Sequence, residues 1–249
     1  MTNDVEVHRS GATVEIHLNR PDKRNAITGA MYTAVSSALA DAEADTDVRA
    51  VVIAGRGAGF CAGNDLKDFV TNPPEGKDSP PAVFLNTIAG LTVPVVAAVQ
   101  GNAVGVGATM LLHCDYVVAD PTARIHFAFV PLGVVPEAGS TLLLPRLVGH
   151  LASARLLMLA EPVGAEEAAR LGLVSEVSPA GEHVAAARRA ADRFAAQPAT
   201  AVRLTKQLLR DDPALPERMR AEARIFRRQL AGPEFASAVG AFAARRDRP

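Results

Sequence analysis

The sequence predicts an α/β fold over residues 1–180 and a helical region over 181–249. Three observations carry this prediction. Short runs in the first half alternate or are wholly apolar, as strands do. Two of those runs end in glycine-rich turns. From about residue 138 the apolar positions follow a largely helical spacing, broken by Gly or Pro. With 249 residues, 49% of them hydrophobic, the chain has ample material for a core.

Val5 and Val7 begin one strand, Gly11 turns the chain, and Val14, Ile16 and Leu18 form a second strand. Asn19-Arg20-Pro21-Asp22 ends it. Thr28 is positioned to cap a helix over about 29–44, whose apolar residues include Met31, Val35 and Leu39. Residues 48–54 are almost fully apolar, which suits a strand covered on both faces. A glycine-rich loop fills 55–65, and 71–81 holds four prolines and reads as a surface loop or lid margin. A helix is expected over 82–90, a buried strand over 93–99, a second glycine-rich turn over 101–107, and a short helix to about 113. Further strands are expected over 115–119 and 123–127. Helices follow near 138–147, 150–159, 165–170, 182–195, 200–210, 216–230 and 234–245. The amphipathic tail needs a surface to pack against, either the body or a second subunit.

The formal charge is -1, from 26 basic and 27 acidic residues, which argues against a nucleic-acid binder. The charge is uneven: residues 1–180 carry a net -7 and 181–249 a net +6. Arg-rich helices pairing against an acidic body explain this, as does an anionic ligand or subunit contact near the tail. Cys61 and Cys114 are too few for a disulfide framework, and no CxxC pair occurs. With no signal-like start and no bilayer-length apolar run, a cytoplasmic protein is expected. The histidines have no metal-ligand spacing, so no metal is expected.

Two loops share one design. Phe60-Cys61-Ala62-Gly63-Asn64-Asp65 follows the 48–54 strand, and Gly101-Asn102-Ala103-Val104-Gly105-Val106-Gly107 follows the 93–99 strand. Each sets small residues where a strand hands over to a helix, and backbone amides there are unpaired. Two such amides converging on one oxygen would stabilise an oxyanion. On spacing alone, a purely structural turn serves equally well.

These motifs, with Leu18-Asn19-Arg20-Pro21 and Asn25-Ala26 before them and Cys114-Asp115 after, resemble the crotonase family, the enoyl-CoA hydratase/isomerase superfamily. Gly133-Val134-Val135-Pro136-Glu137-Ala138-Gly139-Ser140 and residues 168–174 extend the resemblance to nearly the whole chain. It implies a spiral of β-β-α units with a C-terminal helical trimerisation region, in a homotrimer or hexamer. It implies an acyl-CoA substrate, with coenzyme A entering as part of the thioester and no separate cofactor, no nucleic acid and no membrane partner.

The resemblance also assigns residues. The oxyanion donors would be the Asn64 and Val106 amides, although Val106 replaces the middle residue of the family's three-glycine run. Ala62, Lys23 and Arg24 would meet coenzyme A, as would Lys206 and, from the tail, Phe242 and Arg245. Each of these basic residues also suits ordinary solvent exposure. The two glutamates of the family's hydratases are Thr109 and Phe129 here, so two-carboxylate water addition loses its groups. Glu137 remains, in a Pro-Glu-x-x-Ser context that resembles the base of some family isomerases. It also suits a plain helix first-turn carboxylate. Phe127, Phe129 and Val130 are candidates for an apolar wall, or for core. The reading is an enoyl-CoA isomerase moving a 3-enoyl double bond to the 2-position through an enolate. The alternatives are a divergent hydratase and a catalytically weak acyl-CoA-binding protein.

Overall fold

The computed structural model describes residues 4–246, with side chains through residue 241. The chain runs β1 (Val5–Ser10), β2 (Thr13–Leu18), α1 (Gly29–Ala44), β3 (Ala50–Gly55), α2 (Leu66–Thr71), α3 (Pro80–Gly90), β4 (Val95–Val99), β5 (Asn102–Val104), α4 (Val106–Thr109), β6 (Tyr116–Ala119) and β7 (Arg124–His126). Then come α5 (Ser140–Val148), α6 (His150–Leu157), β8 (Val163–Gly164), α7 (Ala165–Arg170), β9 (Glu176–Val177), α8 (His183–Ala195), α9 (Ala199–Arg210), α10 (Ala214–Leu230) and α11 (Pro233–Arg246).

Six strands form one sheet in the order β1-β2-β3-β4-β6-β9, and β5-β7-β8 form a second. The β1–β2 hairpin is antiparallel, and the rest of the large sheet is parallel. Parallel strands are covered on both faces, which explains the apolar runs. Val51, Ile53, Val95, Ala97 and Val99 enter the main core with α1 and α3. Their alternates Ala50, Val52, Ala54, Val96 and Ala98 meet the Ala186, Ala187, Ala190 and Ala191 stripe of α8. Small side chains on both partners let the helix lie close to the sheet.

Thr28 caps α1 as its type and place require, accepting from the Met31 amide at 3.3 Å. In the first half the structure adds two elements, β5 and α2, to those expected, and further on it starts α5 two residues late. The second glycine-rich turn contains β5, whose three residues pair in parallel with β7. Residues 66–71 form α2, capped by Asp65 accepting from the Lys67 and Asp68 amides. Finally, α5 begins at Ser140 rather than 138, because Ala138 and Gly139 take left-handed angles, φ 64° and 70°. Among the described residues no helix is long and apolar enough to cross a membrane.

Candidate active site

The two glycine-rich loops meet. The Cys61 amide donates to the Asn102 carbonyl at 2.9 Å, and the Val104 amide donates back to the Cys61 carbonyl at 2.8 Å. Gly63 and Gly105 each take a positive φ, 91° and 56°, and face one another. A Cβ at Gly105 would stand 3.9 Å from the Gly63 Cα, and one at Gly63 would press to 3.1 Å from the Val104 carbonyl oxygen. Asn64 and Val106 each directly follow one of these glycines. Neither amide donates within the loop and turn network of the described residues. Two free N–H groups are thereby placed on adjoining loops.

Val106 is accommodated because Gly105, not Val106, takes the left-handed backbone. Val106 opens α4 and is 1% exposed, its side chain in the core. Asn64 is fixed from its side chain: the Tyr32 hydroxyl donates to Oδ1 at 2.7 Å. Ala62 donates from its amide to the Arg24 carbonyl at 3.0 Å, so the exposed Lys23–Arg24 segment borders the first loop. Asn25, fully buried, ties that segment down. Its Nδ2 donates to the Arg56 and Gly59 carbonyls, and its Oδ1 accepts from the Arg20 amide.

Glu137 stands in the wall of a cavity of about 420 Å³. Phe69 of α2, Leu85 of α3, and Met219 and Phe226 of α10 give that cavity its apolar lining, with Lys77, Arg220, Arg224 and Arg227 also bordering it. Glu137 is the sole acid among the described lining residues. It is 8% exposed, and its Oε1 has no partner. Burial, with a smaller contribution from the charge of Glu222, pushes its pKa up to about 7. Its charge is also felt at Tyr32, the residue that holds Asn64; there burial is the main cause of a hydroxyl pKa well above the usual range. The cavity lining does not include Asn64 or Val106; Tyr32 bonds Asn64 and lies within the electrostatic reach of Glu137.

Several expected site residues lie elsewhere. Lys206 is turned inward rather than toward a ligand. It is 5% exposed, donates to the Val93 carbonyl at 2.7 Å and pairs with Asp115 at 2.7 Å. Its ammonium is already committed. Phe127 and Phe129 belong to the core, and Val130 is exposed, so the apolar wall comes from Phe69, Leu85, Met219 and Phe226 instead. Glu137 precedes α5 by three residues rather than sitting in its first turn. The side chains of Phe242 and Arg245 lie outside the described residues. Thr109 is fully buried and Phe129 nearly so, at 4%, so neither position restores a carboxylate. No cluster of three metal-ligating side chains occurs among the described residues.

A family model described as enoyl-CoA hydratase/isomerase matches residues 8–249. The chain belongs to that family. This enoyl-CoA hydratase/isomerase superfamily enzyme has the crotonase fold. It is 36% identical to the crystal structure of an enoyl-CoA hydratase/isomerase from Pseudoalteromonas atlantica, with a TM-score of 0.94 over 98% of both chains. It is 30% identical to a 2,3-dehydroadipyl-CoA hydratase of Escherichia coli over 248 residues, 98% of this chain and 97% of that one. It is 34% identical over 210 residues to enoyl-CoA delta isomerase 2 of Rattus norvegicus, covering 82% of this chain and 54% of the rat protein. An acyl-CoA small-molecule substrate is consistent with this membership.

The residues that sequence reading missed are Tyr32 and Glu222. Neither sits in a glycine motif, and each acts through a contact between distant elements.

Proposed function

We propose that this enzyme is an enoyl-CoA isomerase that shifts a 3-enoyl-CoA double bond to the 2-position with one carboxylate. The observation that carries the reading is Glu137: a buried carboxyl with an unpartnered oxygen, in the cavity wall, with a pKa near 7. A base poised there is matched to neutral pH. The Asn64 and Val106 amides donate to the thioester oxygen as it becomes an enolate. Glu137 removes a proton from C2, and the negative charge spreads over a dienolate to C4. The same carboxylic acid then returns the proton at C4, giving the trans-2-enoyl thioester. No water is added and no redox step occurs. The similarity to a relative named as a delta isomerase supports this reading, as do Thr109 and Phe129 at the two other carboxylate positions.

Coenzyme A would lie along Ala62, with Lys23 and Arg24 near its anionic groups. Phe242 and Arg245 remain candidates for contacts from the tail. A homotrimer or hexamer is part of the proposal. Leu204 and Leu208 of α9 are 53% and 78% exposed, and Leu151 of α6 is 83% exposed, an apolar surface that a second copy of the chain would cover. Sedimentation should give a trimer or hexamer at micromolar protein, and a stable monomer would remove this part.

The test of the activity is Glu137→Gln with 3-enoyl-CoA and 2-enoyl-CoA substrates. The variant should lose isomerisation by roughly 100-fold or more while thioester binding changes little. Turnover close to the unmodified enzyme would end the one-base reading. Hydration of 2-enoyl-CoA by the unmodified enzyme, retained in the variant, would favour a divergent hydratase with other groups. Binding without turnover in either protein would favour an acyl-CoA-binding role.

A further inference from the structure

We propose that Glu222 is a positioning residue for Glu137: from α10 its carboxylate fixes the turn that carries the base and keeps a negative charge beside it. The inference rests on Glu137 being the base. It begins with the turn itself. Ala138 and Gly139 take two successive left-handed conformations directly after Glu137. Such a pair holds its shape only if neighbours fix it.

Glu222, His113 and Leu215 are those neighbours. The Glu222 Oε2 accepts from the Gly139 amide at 2.6 Å, and Oε1 accepts from the Thr141 amide at 3.0 Å and from the Thr141 hydroxyl at 2.5 Å. Helix α5 has no side-chain cap of its own, so Glu222 supplies the acceptors that its N-terminus lacks. From the opposite side, the Ala138 carbonyl is 2.8 Å from His113 Nε2. Leu215 closes on Gly139 so tightly that a Cβ there would lie 2.4 Å from its Cδ1. The peptide unit that follows Ala138 is thus anchored at both its carbonyl and its amide, one residue after Glu137, whose own Oε1 has no partner.

The two carboxyls are unequal for that reason. Glu222 is 4% exposed and burial raises its carboxyl above the usual value, but it meets three donors, which favour its charged form and oppose that rise. Glu137 meets none. When one proton is shared between them, Glu137 holds it and Glu222 keeps the charge. The other groups around Glu137 do not reverse this. Tyr32, from α1, stays protonated. His113 is neutral, its pKa pushed down by burial to about 4. Lys77, Arg220, Arg224 and Arg227 border the cavity but are exposed and make no ion pair among the described residues. Arg218 reaches Thr141 Oγ1 rather than Glu137.

The experiment is Glu222→Gln, which keeps an acceptor oxygen and removes the charge. The pH profile of kcat/KM for 3-enoyl-CoA isomerisation should keep its shape, and its acid limb should move to lower pH by roughly half a unit or more. In parallel, carbon NMR of labelled glutamate carboxyls, with the Glu137 signal assigned by its loss in Glu137→Gln, should show the same displacement without using activity. If Glu222→Gln does not fold, Thr141→Val removes one donor from Glu222 and should move the limb the same way by less, with Thr141→Ser restoring it. An unmoved Glu137 titration in folded Glu222→Gln, or in folded Thr141→Val where Glu222→Gln does not fold, would overturn the inference. A shifted NMR titration with full activity in Glu137→Gln would instead keep the coupling and end the role of Glu137 as base.

Discussion

Glu137 and Glu15 are both buried glutamates, and they titrate in opposite directions. Glu15, on β2, is 3% exposed; both of its oxygens accept from Arg188, and its carboxyl is held below the ordinary value. Glu137 is 8% exposed, has an oxygen with no partner, and is raised to about 7. Burial is common to both, so burial alone does not set the direction of the shift. The difference is whether the fold supplies a partner for the charge. Lys206 shows the two effects together: it is partnered by Asp115 and the Val93 carbonyl, yet burial still lowers its pKa. Satisfied polarity holds the molecule together, while unsatisfied polarity is available to a substrate.

Each side of that comparison has a measurable consequence. The largest belongs to the unpaired group: Glu137→Gln should abolish most isomerase turnover, as set out above. Lys206→Met should behave in the other way. It removes one partner of a buried pair, and because Arg210 still pairs with Asp115 it should destabilise the fold by about 3 kcal/mol, the low end for such a loss, in chemical denaturation. Thioester affinity measured by calorimetry should be unchanged. A clear loss of affinity with unchanged stability would move Lys206 back to the ligand.

Glu137→Gln also has a stability effect that depends on pH. A carboxyl raised from 4.5 to about 7 favours the fold while protonated, and that advantage is lost as pH rises through the folded value. The variant has no such loss. Relative to the unmodified enzyme it should therefore gain roughly 2 kcal/mol between pH 5 and pH 8.5, read from urea midpoints. A pH-independent difference would contradict the raised pKa.

Glu15→Gln is expected to give the smallest effect. Arg188 is 54% exposed, so solvent screens the pair, and the loss should be about 1–2 kcal/mol near neutral pH with activity kept. The lowered carboxyl contributes its stability above the ordinary value and loses it as pH falls through the folded one. The gap between Glu15→Gln and the unmodified enzyme should close in acid. A gap that widened in acid would break the comparison.

The sequence made some of this legible and hid the rest. Thr28, the β3 and β4 runs and the first glycine loop are local signals and gave the expected elements, whereas the second glycine loop also holds β5. The wall of the cavity was not local: Phe69, Leu85 and Phe226 come from three helices, and Phe69 meets Phe226 edge-on at 6.2 Å. Lys206 looked available because a single lysine in an Arg-rich tail carries no sign of Asp115, far away in the chain. Glu222 was equally hidden, since its donors lie 81 and 83 residues away. Glu137 was legible as a residue, but its placement before α5 depended on the left-handed Ala138, which no composition rule requires.

The bridge between Cys61 and Ala103 has a consequence for changing this enzyme. A Cβ at Gly107 would approach the Cys61 carbonyl oxygen to 2.7 Å, so the second loop lies against the first with no room between them. The Asn64 and Val106 amides are therefore one component rather than two. A substitution that shifts either loop moves both donors together. Grafting one loop from a relative would import half of a matched pair, whereas exchanging both would transfer the unit intact. The cavity side chains of α3 and α10, such as Leu85 and Phe226, belong to neither loop and can vary separately from that unit.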